Sequence, residues 1–226
     1  MSGPRLIEVR RNVLKQNDVI ARALREQFRT AGVFVVSLVS SPGSGKTTFL
    51  EKVMTQLQPR FRVAALVGDL ATDNDAARLA RSKAPVKQIT TGTLCHLEAA
   101  MVQSAVEGWD LHQLDFLFIE NVGNLVCPSS YDLGENLRLV LMSVTEGEDK
   151  PQKYPTIFNS ADVAVITKDD LAPAAEFNWE AARNSIESVR PGMQIFRLSA
   201  KTGTGMQAYL EFLAHRLTEE RAMAHT

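Results

Sequence analysis

The run Ser40-Ser41-Pro42-Gly43-Ser44-Gly45-Lys46-Thr47-Thr48 holds the residue types of a phosphate cradle at the spacing such a cradle needs. Gly43 and Gly45 let the backbone turn so that the N–H groups around Ser44 and Thr48 converge on phosphate oxygens. Lys46 adds a mobile positive charge, and the Thr47 hydroxyl can ligate Mg²⁺. The chemistry implied is binding of a nucleoside triphosphate. Ser40 stands where the strict pattern has its first glycine, which leaves the backbone geometry of that turn open. Two carboxylates end apolar runs: Asp69 follows Leu66-Val67-Gly68, and Glu120 follows Phe116-Leu117-Phe118-Ile119. Both are expected beside the phosphates, serving Mg²⁺ or its water, with Asp75 of Thr72-Asp73-Asn74-Asp75 a weaker third candidate.

Base recognition is legible further along. Thr167-Lys168-Asp169-Asp170 resembles the guanine-reading element NKxD, with threonine in place of asparagine, and Ser199-Ala200-Lys201 resembles the SAK element that approaches the base from a neighbouring loop. The Asp170 carboxylate only accepts hydrogen bonds, so it matches the N1–H and 2-amino group of guanine and opposes the N1 acceptor of adenine. GTP, cycling to GDP, is therefore favoured over ATP.

A second chemistry sits apart from the first in sequence. Cys95 and His96 are adjacent, and the other cysteine, Cys127, follows Glu120-Asn121-Val122-Gly123-Asn124-Leu125-Val126. A lone cysteine or histidine is ordinarily structural, and His112, His215 and His225 show no such company. Soft thiolates beside an imidazole suit Ni²⁺ or Zn²⁺ rather than Mg²⁺. Three ligands are fewer than a closed zinc site uses, so the site is expected to be open to exchange; two chains about a two-fold axis would supply enough to hold metal between them.

These groups need a scaffold that delivers them to one place. Residues 33–39 read as a buried parallel strand leading into a helix at residues 47–54, whose N-terminus faces the phosphates. Further apolar runs at 61–67, 86–89, 115–119, 139–144, 163–166 and 195–198 alternate with helical patterns. This predicts an α/β fold with a mostly parallel, doubly wound sheet of about seven strands, helices on both faces, and the unusual residues in loops at the strands' C-terminal ends. Residues 5–31 read as a leading amphipathic helix, apolar at Leu6, Val9, Val13, Ile20, Leu24 and Phe28, basic at Arg10, Arg11, Lys15, Arg22, Arg25 and Arg29, and closed by Gly32. The basic face reads as a solvated helix surface, diluted by Glu8, Asp18 and Glu26.

The 226 residues, 45% of them hydrophobic, suffice for a single domain. A net charge of −1 argues against nucleic acid as a partner. The chain shows neither a signal core nor an apolar run long enough to span a bilayer, and with only two cysteines a cytoplasmic protein with free or metal-bound thiols is expected.

Taken together, residues 41–48, Asp73-Asn74-Asp75-Ala76-Ala77-Arg78, Cys95-His96-Leu97, residues 118–128, Tyr131-Asp132-Leu133-Gly134-Glu135 and residues 144–151 resemble the HypB family, the nickel-incorporation GTPases of [NiFe]-hydrogenase maturation, from the leading helix to Lys201. The resemblance implies a P-loop G domain of the SIMIBI kind, Mg²⁺-dependent GTP hydrolysis, Ni²⁺ or Zn²⁺ at Cys95, His96 and Cys127, a homodimer, and contact with hydrogenase accessory proteins and the hydrogenase large subunit. Lys46 would stabilise charge developing on the phosphates, and Asp69 would position or deprotonate the attacking water. The sequence departs from the family at Thr167, at Leu70-Ala71 where glutamines are often found, and at Thr93-Leu94 before the Cys-His pair. A urease-type nickel accessory GTPase is the sister reading, although that family carries Cys-Pro-His and here the two ligands are adjacent. A metal-independent regulatory GTPase is the alternative of a different class.

Overall fold

The computed structural model describes the backbone of residues 3–69 and 74–224, and the side chains of residues 12–69 and 75–224. Leu6, Val9, Arg10 and Arg11 therefore lie outside the described side chains, and Leu70, Ala71, Thr72, Asp73 and His225 outside the described residues. The elements in order are α1 (Gly3–Ala31), β1 (Phe34–Ser40), α2 (Lys46–Leu57), β2 (Val63–Asp69), α3 (Asn74–Leu79), β3 (Val86–Thr90), α4 (Ala99–Val106), β4 (Phe116–Gly123), β5 (Leu137–Ser143), α5 (Lys150–Lys153), α6 (Pro155–Ser160), β6 (Val163–Thr167), α7 (Trp179–Val189), β7 (Gln194–Arg197) and α8 (Met206–Ala224).

The seven strands form one all-parallel sheet in the order β3-β2-β4-β1-β5-β6-β7. Strands β1, β5 and β6 are buried at every position, as parallel strands covered on both faces must be, whereas the edge strands β3 and β7 are partly exposed. On one face, Phe49, Leu50, Val53 and Met54 of α2 pack with Tyr209, Leu213 and Leu217 of α8 over Phe34, Phe116 and Phe118. The other face is covered in two parts. Ala21, Leu24 and Phe28 of α1 pack with Val102 and Ala105 of α4 over β2 and β4, and Ile157, Phe158, Ala182 and Ile186 pack over β5 and β6. The chain winds from β1 outward to β2 and β3, returns to β4, then crosses to β5, so β1 with its two neighbours marks the switch point where such sheets hold ligands.

The leading helix differs in detail from its sequence pattern. Val13 is 41% exposed, while Asn17, a polar residue, lies on the buried face at 5%. The helix ends as expected: Gly32 adopts φ 71° and the Val33 N–H reaches back to Phe28 O at 3.0 Å, satisfying a terminal carbonyl.

At the opposite end of the sheet from the switch point, Asp115 joins three segments. Its carboxylate accepts from the Arg62 backbone N–H at 2.8 Å and from Arg221 Nη2 at 2.7 Å, and Arg221 also donates to Gly32 O. Burial alone would raise the Asp115 pKa, but these hydrogen bonds outweigh it and hold the carboxyl at about 2, below its ordinary 3.8. A depressed carboxyl stabilises the fold fully above the unfolded-state value, and the contribution is lost as pH falls toward about 2. Thermal unfolding followed against pH should therefore show wild-type stability declining between about pH 4 and pH 2, with Asp115→Asn less stable at neutral pH and flatter across that interval.

Candidate functional site

Strand β1 ends at Ser40, which pairs with Leu141 of β5 and Gly123 of β4, is fully buried, and donates its hydroxyl to Ser41 O at 2.9 Å. The left-handed backbone of the following loop falls on Gly43, at φ 76°, and on Gly45, at φ 90°, which caps α2. A serine is accommodated at position 40 because that residue closes a strand and needs no positive φ. The loop opens on a cleft of about 540 Å³ lined by residues 40–48 together with Asp69, Asp75, Arg78, Val122, Gly123 and Lys168.

Glu120 organises the floor of this cleft. It lies within β4, three residues before the strand ends, and is 1% exposed. One carboxylate oxygen accepts from Lys46 Nζ at 2.8 Å and from the Thr47 hydroxyl at 2.6 Å; the other, Oε2, is buried without a hydrogen-bond partner among the described residues. A buried carboxylate oxygen left unmatched is costly, and a hydrated divalent cation is the ligand that would match it. With the Thr47 hydroxyl on the same carboxylate and Asp69 closing β2 on the cleft wall, the donor set is all oxygen and suits Mg²⁺. Asp75 pairs with Arg78 at 4.0 Å, and Arg78 Nη2 donates to Thr48 Oγ1 at 2.6 Å, which adds a guanidinium to the cleft that the sequence reading did not single out.

On the base side, Lys168 sits at φ 58° and donates to Gly43 O at 2.7 Å, and Asp170 Oδ1 accepts from the buried Ser199 hydroxyl at 2.6 Å. Ala200 is half-buried and Lys201 exposed. Thr167 is 3% exposed and donates its hydroxyl to Ser44 O at 2.5 Å, with Met142 O a second partner at 3.3 Å. Its hydroxyl is thus directed to the phosphate loop's backbone rather than left open for a base, so the residue acts by fixing the loop against β6.

The three soft ligands come together. Cys95 and His96 lie in the loop between β3 and α4, and Cys127 opens a short 3-10 helix, Cys127–Ser130, after β4. Their donor atoms lie within 4.8 Å of one another, and among the described residues they are the only such group of His, Cys, Asp and Glu. Cys95 Sγ is 2.8 Å from Cys127 Sγ, both thiols being free, and 4.0 Å from His96 Nδ1. The hydrogen bond to Cys127, aided by burial, pushes the Cys95 thiol pKa up. Glu98 Oε1 faces His96 Nε2 at 3.4 Å, an arrangement that places a ring proton on Nε2 and leaves Nδ1 for a metal. The His96 ring stacks on Tyr131 at 4.0 Å between centroids. Neither Glu98 nor Tyr131 was singled out as a site residue in the sequence. Glu98, two residues beyond His96, was open to that inference, whereas Tyr131 is reached only through the fold.

The two halves share a wall. Asn121, directly after Glu120, accepts from the Leu97 N–H at 3.0 Å and so holds the Cys95-His96 loop. Gly123 lies so close to Pro42 that a Cβ would meet its ring and backbone at 3.1 Å. Asn124 Nδ2 donates to Cys95 O at 3.2 Å, and Cys127 follows. One stretch of chain, 120–127, thus carries a carboxylate bonded to the phosphate loop, a close approach to Pro42, two clamps on the Cys95-His96 loop and a thiol of the soft-donor group.

A parallel phosphate-loop sheet with a thiolate and imidazole pocket at the same end defines a class, the nucleotide-binding proteins that also handle a soft metal ion. The profile of the family described as CobW/HypB/UreG, nucleotide-binding domain, matches residues 34–197. The hydrogenase maturation factor HypB of Rhizobium leguminosarum bv. viciae is 46% identical over 213 residues, covering 94% of this chain and 71% of that protein. The hydrogenase/urease maturation factor HypB of Helicobacter pylori strain 26695 is 39% identical over 225 residues, 97% of this chain and 92% of that protein. The crystal structure of HypB from H. pylori in complex with nickel superposes with a TM-score of 0.86 at 40% identity, covering 91% of this chain and 97% of that one. The chain belongs to the HypB branch of the CobW/HypB/UreG family.

Glu120→Gln removes the anion that both Lys46 and Mg²⁺ would face. Titration with a fluorescent guanine nucleotide should show Mg²⁺-dependent binding weakened on the order of tenfold or more, with the nucleotide-binding fold retained.

Proposed function

We propose that this chain is a GTP-hydrolysing metallochaperone that binds Ni²⁺, or Zn²⁺, at Cys95, His96 and Cys127 and assists nickel insertion during [NiFe]-hydrogenase maturation. The observation that carries the reading is the shared segment 120–127, which links the phosphate cleft to the soft-metal pocket. Nickel is cargo in this account, so a three-ligand pocket open to exchange is the appropriate design; a four-ligand closed site would retain it.

In the nucleotide half, the backbone of Gly43, Ser44, Gly45, Thr47 and Thr48 cradles the phosphates, while Lys46 neutralises charge that develops as the terminal phosphoryl group leaves. Thr47, Asp69 and Glu120 hold Mg²⁺, which supplies further charge neutralisation when bound. Asp69 orients the attacking water or takes its proton, and Asp75, through Arg78, frames the cleft mouth. Asp170 reads guanine, its carboxylate aimed by Ser199, with Lys168 and the Ala200-Lys201 backbone beside the base. Exchange of GTP for GDP changes the contacts of Glu120 and of the Gly123–Pro42 junction, and the clamps from Asn121 and Asn124 carry that change to the ligands.

The chain acts as a homodimer in this reading. Leu94, 37% exposed, and Val126, 63% exposed, each immediately precede a cysteine ligand and leave an apolar rim around the pocket for a second copy. Hydrogenase accessory proteins and the hydrogenase large subunit are the partners in this reading, in keeping with relatives named hydrogenase maturation factors. The single-domain, cytoplasmic reading is supported by one sheet that every described strand joins and by the absence, among the described residues, of a helix long and apolar enough to cross a membrane. A client that includes urease is the second reading, favoured by the name of the H. pylori relative.

Cys95→Ala with Cys127→Ala is expected to abolish Ni²⁺ binding, followed by the thiolate-to-metal absorbance, while GTP hydrolysis in the absence of added nickel persists. Unchanged metal binding and unchanged maturation of the client in that variant would favour a metal-independent switch.

A further inference from the structure

Asn17 is the one side chain among the described residues of α1 that is both polar and buried, at 5% exposure. Its amide is used at both ends across long stretches of chain: Oδ1 accepts from the Ala99 N–H at 2.8 Å, and Nδ2 donates to Asp132 O at 2.8 Å. The orientation of the amide is fixed by its partners, since a backbone N–H can only donate and a carbonyl only accept. Ala99 begins α4, three residues beyond His96; Asp132 lies five residues beyond Cys127 and directly after Tyr131, the ring on which His96 stacks. A single amide therefore spans the two loops that carry the three soft ligands.

Further contacts hold the second loop to the same helix. Arg25 Nη2 pairs with Asp132 Oδ1 at 2.7 Å, and Gly134, at φ 82°, lets the backbone come so near that a Cβ would lie 2.9 Å from Leu24 Cβ and 3.0 Å from Ala21 O. Neither contact reaches the Cys95-His96 loop. Among the described side chains of α1, only Asn17 is hydrogen-bonded to both segments.

Resting on the metal-site reading above, we infer that Asn17 is a positioning residue for the metal pocket, a clasp by which α1 sets the separation of Cys95-His96 from Cys127. Loss of the clasp leaves Ala99 N–H and Asp132 O to find water, and the two loops are then joined through Asn121, Asn124 and the His96–Tyr131 stack, without the reference that α1 supplies. Affinity for a metal that needs all three ligands at once falls, whereas the phosphate cleft, which no described side chain of α1 lines, is unaffected.

The test uses the full chain, titrated with Co²⁺ and with Ni²⁺, the charge-transfer band from thiolate to metal being read together with guanine-nucleotide affinity and thermal stability. Asn17→Ala should weaken metal binding on the order of tenfold with nucleotide affinity unchanged. Asn17→Asp, which keeps the acceptor for Ala99 but sets a carboxylate oxygen against Asp132 O, should bind metal no better than Asn17→Ala. Phe28→Leu, a core change elsewhere on α1, is the control for stability loss alone and should retain wild-type metal affinity. Wild-type affinity in Asn17→Ala, or an equal loss in Phe28→Leu, overturns the clasp while leaving the metal-site reading standing. A wild-type chain with no thiolate band, indistinguishable from Cys95→Ala with Cys127→Ala, overturns both.

Discussion

Glu120 places a negative charge where water cannot reach it, 1% exposed in an interior strand of a parallel sheet. Such a charge persists only if it is paired, and breaking a buried pair by removing one partner typically costs about 3–5 kcal/mol. Here Lys46 and Thr47 match one oxygen, and nothing among the described residues matches the other. A divalent cation would match that oxygen, and the residues around it, Lys46 and Thr47, belong to the phosphate loop. The demand of that carboxylate fixes the N-terminus of α2 against β4 and so sets the shape of the cleft.

The same strand leads directly to the metal pocket, and that continuity gives the site its second property. Parallel strands covered on both faces cannot slide without unpacking the core, so change in the cleft must pass through the loops at their ends. After Glu120 the chain turns Asn121 toward the Cys95-His96 loop, presses Gly123 on Pro42 and hooks Asn124 to Cys95 before offering Cys127. The pocket is built of segments from different parts of the chain, each held by a small number of hydrogen bonds. That construction suits a site whose geometry is to be altered by a neighbour, and α1 adds a fixed reference against which the alteration occurs.

Much of this was legible in sequence because it depends on local spacing. Glycines at 43 and 45, the lysine and the threonine are neighbours in the chain, and the buried strands announce themselves as continuous apolar runs. Cys95, His96 and Cys127 could be named because strands of such a sheet all deliver their C-terminal loops to one end. The substitution at Thr167 was visible, but not its consequence, which required knowing that the Ser44 carbonyl lies within reach. Asn17 was hidden altogether: it occupies a position in α1 where periodicity predicts packing, and its partners stand 82 and 115 residues away. Val13 erred in the opposite sense, apolar at helical spacing yet exposed, since the apolar stripe of a helix outlasts the neighbour it packs against.

The central claim is that nucleotide state and metal affinity are linked through residues 120–127. Isothermal titration of Ni²⁺ into the nucleotide-free, GDP-loaded and GTP-analogue-loaded protein tests it most directly. Linkage predicts affinities that differ between states by about 5-fold or more, with the same factor recovered when nucleotide is titrated in the presence and absence of nickel. Equal nickel affinity in all three states would contradict the account.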